Sequence, residues 1–97
     1  MINPQYLNLS QFDPHTRNEF WEVIRECLIE LHGLPQFEAL QRSHDLRQQI
    51  EAPPPGLNSD FFYHNEPFQV ACDMVGHQLD QAHYRPQYET ILQRHGW

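Results

Sequence analysis

Imidazole and carboxylate side chains recur at Asp73, His77, Asp80 and His83, in steps of four, three and three residues. On one continuous helix those steps bring the side chains onto a single strip. Imidazole with carboxylate is the donor set that zinc, manganese and iron accept. A single helix does not enclose an ion, so a divalent metal there needs a further ligand, from His64, His44 or Glu89 or from the same strip of a second copy. The competing reading is a solvated polar face, on which each acid–histidine pair contributes about 0.2–0.5 kcal/mol when the ring is charged. No Cys-x-x-Cys, His-Glu-x-x-His or Glu-x-x-His string adds weight to a metal centre. The solvated face is therefore the expected state, no cofactor is predicted, and a metal-binding protein or metal-dependent enzyme is the alternative.

Two cysteine–histidine pairs, Cys72 with His77 and Cys27 with His32, have the residue types of a nucleophile and its base. Both cysteines fall on apolar helical faces, where the neutral thiol is favoured and substrate is kept out, so they read as reduced core residues. Catalysis is accordingly the less favoured reading. The chain holds seven histidines and thirteen acids, so its net charge is steep in pH. His64, beside Tyr63, is the first candidate for a pH-sensitive histidine.

Glu22, Glu26 and Glu30 repeat every fourth residue and line one side of a helix, where like charges cost a few tenths of a kcal/mol unless something positive faces them. A basic protein partner would serve, which makes an acidic inhibitor or adaptor one version of the function; solvation, with Arg25 near, is the plainer explanation. Four apolar residues, Ile29, Val70, Met74 and Trp97, lie off the apolar stripes of their segments. They supply either a second apolar surface for self-association or contacts with a neighbouring element.

The elements that must position these groups are helical. Asp13 is placed to cap a helix with Pro14 at its first position, or Thr16 and Glu19 to form a capping box, and Gly33 ends the segment. At 100° per residue Phe20, Val23, Ile24, Cys27, Leu28 and Leu31 share one face, with Ile29 opposite. A second helix runs from Pro35 to about Glu51. Its apolar residues drift from Phe37 and Leu40 toward Leu46 and Ile50, and Ser43 offers a cap for a fresh turn midway. Asn65, Glu66 and Pro67 start a third helix with Phe68, Ala71, Cys72, Val75, Leu79 and Ala82 on one face, reaching about residue 84 through Gly76. Pro86 then restricts Arg85 and interrupts the pattern, and a last helix carries Tyr84 or Tyr88, Ile91, Leu92 and His95 along one side before Gly96. Residues 1–12 form an irregular ordered arm, Pro53-Pro54-Pro55-Gly56 break the chain between two helical halves, and the aromatic run Phe61-Phe62-Tyr63 stays unassigned.

At 97 residues the chain holds one core, and 39% hydrophobic residues with many aromatics are enough to fold it. The fold class is all-α: a small four-helix bundle or an irregular orthogonal helical domain spanning residues 1–97. Thirteen acids stand against six arginines with no lysine, so the net charge of -7 disfavours nucleic acid and anionic membranes. No phosphate-binding glycine loop, basic leader or long apolar run occurs. The expectation is a cytoplasmic, non-enzymatic interaction module that binds another protein or itself as a homodimer.

Overall fold

A computed structural model of the chain describes residues 14–51 and 62–97. Among these residues lie four helices and no strand: α1 (Pro14–Glu30), α2 (Gln36–Ile50), α3 (Pro67–Val75) and α4 (Gln81–Arg94). The expected all-α class is the observed one. The arm at residues 1–12, the Asp13 cap and the proline break at 53–56 lie outside the described residues. Among the described helices none is long and apolar enough to cross a membrane.

The apolar stripe of α1 is buried as its periodicity requires: Phe20, Val23, Ile24, Cys27, Leu28 and Leu31 all lie in the core. α1 touches each of the other three helices, α3 most extensively, and so forms the centre of the packing. Ile29, expected to point away, is half-buried against the same core cluster, because helices pack on more than one side of α1.

α2 is continuous. The Ser43 hydroxyl, instead of capping a new turn, donates to the Ala39 carbonyl at 2.8 Å, the back-bonding that keeps a serine inside a helix. The fully buried positions of α2, Ala39 and Ser43, are small. Its large apolar residues divide between a half-buried pair, Leu46 and Ile50, and an exposed pair, Phe37 (78% exposed) and Leu40 (50%). The drift of apolar residues along this segment is this division.

The helix expected from residue 65 to 84 is two helices. Gly76 adopts φ +75° and ends α3, with the Gly76 N–H on the Asp73 carbonyl (3.2 Å) and the His77 N–H on the Cys72 carbonyl (3.2 Å), the paired bonds of a Schellman ending. Asp80 then caps α4 by accepting the Ala82 N–H at 3.0 Å. Pro86, expected to interrupt the helical pattern, lies inside continuous α4. The proline leaves only the carbonyl of exposed Ala82 without its intrahelical donor, near the helix end where solvent reaches it.

The nine residues of α3 bury Pro67, Phe68, Val70, Ala71 and Cys72. A helix this short, packed on several sides, has no single apolar stripe, so Val70, off the expected stripe, is nonetheless buried (6% exposed). Two tyrosines tie the helices together by their hydroxyls. Tyr88 on α4 accepts the Phe68 N–H at 3.3 Å and donates to Glu66 at 2.6 Å, anchoring the start of α3. Tyr63 accepts the Trp21 indole N–H at 2.9 Å and donates to Glu51, which Arg47 also meets at 3.2 Å, joining α1 to the end of α2.

Candidate functional site

The break at Gly76 disperses the sequence-predicted metal strip. Asp73 stands on α3, His77 lies in the connection, Asp80 caps α4 and His83 follows within it; all four are exposed. Each has a local contact. Asp73 accepts from Gln69 (2.9 Å) and Gln78 (3.0 Å), the Asp80 carboxylate is engaged at the cap, His77 lies edge-on to His32 at 6.4 Å, and His83 edge-on to Tyr84 at 4.9 Å. His32 is held below the ordinary imidazole value by burial and by the neighbouring His77. The cysteine pairs do not form a nucleophilic centre: both thiols are fully buried, and burial, followed by the charge of Glu26, pushes the Cys27 thiol far above its usual range.

The acidic stripe of α1 meets positive charge from its own chain. Arg94, at the end of α4, reaches Glu26 at 3.0 Å and makes a two-pronged contact with Glu30, its second nitrogen at 3.0 Å. These bonds, to Glu30 first and Glu26 next, raise the guanidinium value further, so Arg94 stays charged. His95 follows it into the stripe, with Nε2 at 2.8 Å from Glu26, Nδ1 against Glu19 and Glu22 at 3.8 Å. His15 stands 3.3 Å from Glu19 on the outer side. Ligand atoms of Glu19, Glu22 and His95 lie within 4.8 Å of one another. With both ring nitrogens on carboxylates, the arrangement is an ion-pair network. The enclosed histidine is therefore His95, its side chain 9% exposed, and not the exposed His64. Sequence periodicity showed the stripe; nothing local pointed to Arg94 and His95, which are 68 and 69 residues from Glu26.

Elsewhere on the surface, α2 and α3 leave a groove. One section, about 310 Å³, is lined by Leu46, Phe62, Val70 and Met74 with Asn65, Gln69 and Asp73 at its edge. A second, about 280 Å³, continues past Leu46 and Met74 to Arg42, Asp45 and Gln49. The floor is apolar and the rim carries amides, carboxylates and the Arg42 guanidinium. Phe62, at one end, stacks on Trp21 (5.4 Å between centroids, 14° between planes), and Phe20 meets Tyr63 edge-on at 5.0 Å, so that wall stands on a packed aromatic cluster. Burial and the bond to Glu51 push the Tyr63 hydroxyl up to about 12, which keeps it a neutral donor. Among the described residues that line it there is no cysteine, serine, threonine, histidine or lysine.

Of the apolar residues flagged from sequence, Met74 lines this groove, Val70 forms part of its wall from the core, and Ile29 and Trp97 are half-buried against the core elsewhere. Leu46, Phe62 and Gln69 were missed as site residues. The drift of apolar positions along α2 was the signal that carried Leu46. Comparison with protein-family models, with curated proteins and with solved structures finds no match for this chain.

Proposed function

We propose that the protein is a non-enzymatic interaction module that receives apolar side chains of a protein partner in the groove between α2 and α3. One observation carries this reading: an open apolar floor of Leu46, Phe62, Val70 and Met74 framed by polar side chains. Each section is at the lower end of the roughly 300–1,000 Å³ typical of small-molecule sites, which suits a few side chains of a peptide or helix better than a dinucleotide. The α1 stripe Glu22, Glu26 and Glu30 is a weaker candidate surface for a basic partner, since Arg94 and His95 already answer much of its charge. Buried, unpaired Cys27 and Cys72 fit a reducing compartment such as the cytoplasm.

Self-association is the second reading, favoured by exposed Phe37 and Leu40 on the outer side of α2. A photo-crosslinking residue at Gln49 or Gln69, installed in the full chain in the cells that make it, separates the two. Adducts of one defined heavier mass at both positions, absent from Thr90 and abolished by Leu46→Glu, are the expected result. An adduct with a second copy at Phe37 alone would replace the groove by a homodimer face. Crosslinking equal at Thr90 and at the groove would reject both surfaces.

A further inference from the structure

His95 sits where α4 ends and faces three carboxylates of α1: Glu26 at Nε2, and Glu19 and Glu22 at Nδ1. Glu30 and Arg94 lie beside them, Arg94 sharing Glu26, and His15 approaches Glu19 from outside. An ionised carboxylate only accepts hydrogen bonds, and a neutral imidazole has one N–H to give. Bonds from both ring nitrogens to Glu19 and Glu26 therefore require the ring to carry both protons. A charged ring with a side chain only 9% exposed is tolerable because the carboxylates surround it.

The residues after His95 depend on its position. Gly96 turns left-handed at φ +74°, and the Trp97 N–H returns to the Leu92 carbonyl at 3.0 Å. The same fold of chain sets the Trp97 ring 6.4 Å from Phe20 on α1. His95 and Trp97 thus both attach the closing turn to α1, His95 by ionic contacts and Trp97 through its ring.

We infer that His95 is a proton-operated latch: doubly protonated, it bridges Glu19 and Glu26 and holds the C-terminal turn with Trp97 on α1, and loss of one proton releases that turn. On deprotonation one nitrogen gives up its donor and presents a lone pair to a carboxylate, turning an attraction into a repulsion. Burial alone would pull the ring's value down; the bonds and charges of Glu26 and Glu19 outweigh it, and the net direction is upward. The latch is closed below the ordinary imidazole range and opens as pH rises through the elevated value.

The test is a pH titration of chelator-treated full chain by NMR, following the imidazole nitrogens of every histidine and the indole N–H of both tryptophans. His95 is expected to titrate above the ordinary imidazole value and to show two protonated nitrogens at neutral pH. Trp97 should shift with the His95 midpoint while Trp21 does not. Glu19→Gln should lower that midpoint, and His95→Gln should leave Trp97 without it. A His95 midpoint at or below the ordinary imidazole value, or a Trp97 resonance that ignores it, would overturn the latch; both are read on the unmodified protein, whatever the variants do.

Discussion

The α1–α4 edge and the α2–α3 groove are built from the same kind of amphipathic helix, yet they end in opposite states. At the first, a row of glutamates that looks available for a partner is met by Arg94 and His95 of the same chain. At the second, Leu46 and Met74 stand between two helices with nothing over them among the described residues. A polar stripe completed internally contributes to folding and is poor evidence for binding. Apolar surface left at the meeting of two helices is better evidence, because its burial is favourable and the described fold has not used it.

Both regions stand on α1, so the largest expected effect comes from the seam beneath them. Ile24→Ala, at a fully buried position, should cost about 2–5 kcal/mol in urea unfolding and weaken the ion-pair edge and the groove together. Next, His95→Ala leaves half-buried Glu19 and Glu26 without its two N–H donors and should cost about 1–3 kcal/mol. The sign of its pH dependence follows from the raised value of His95. The loss relative to the wild type should be complete below the ordinary imidazole range and vanish as pH climbs through that higher value. A loss that grows with alkalinity would mean that His95 is held neutral and would erase the contrast drawn here.

Gly76→Ala should cost about 1–2 kcal/mol although the added methyl meets nothing within 4 Å, because the left-handed φ of +75° is the obstacle. Thermal unfolding reads this directly, and an unchanged melting temperature would argue for an unbroken helix across Gly76. The smallest effect on stability belongs to the groove. Met74→Gln, at a half-buried position, should change unfolding by no more than about 1 kcal/mol yet remove crosslinking at Gln69. If Met74→Gln destabilised as strongly as His95→Ala, the groove would be packing rather than a binding surface.

How far the sequence could be read depends on the reach of each signal. The α1 stripe was legible because period and burial agree along one helix with large apolar residues. The break at Gly76 was missed although its signs are local, a glycine followed four residues later by a capping aspartate, because Val75, Leu79 and Ala82 continue the helical phase by coincidence. Val75 and Leu79 are half-buried and Ala82 is exposed, so no shared face joins them. The same break dissolves the Asp73–His83 strip, whose spacing had meaning only on one continuous helix. Val70 is buried although it lies off the expected stripe, because a nine-residue helix surrounded by neighbours buries residues on several sides.

By itself, then, the sequence determined the helical class, the apolar face of α1 and the acidic stripe beside it, since these follow from periodicity, capping and charge within a few turns. Tertiary structure alone decided what each face meets. Arg94 and His95 come to Glu26 from 68 and 69 residues away, and Leu46 faces Met74 across two helices, through packing angles that no local propensity encodes. Whether a charged stripe is spent or a groove is open depends on those long-range pairings, because a side chain's free energy is set by its neighbours in space.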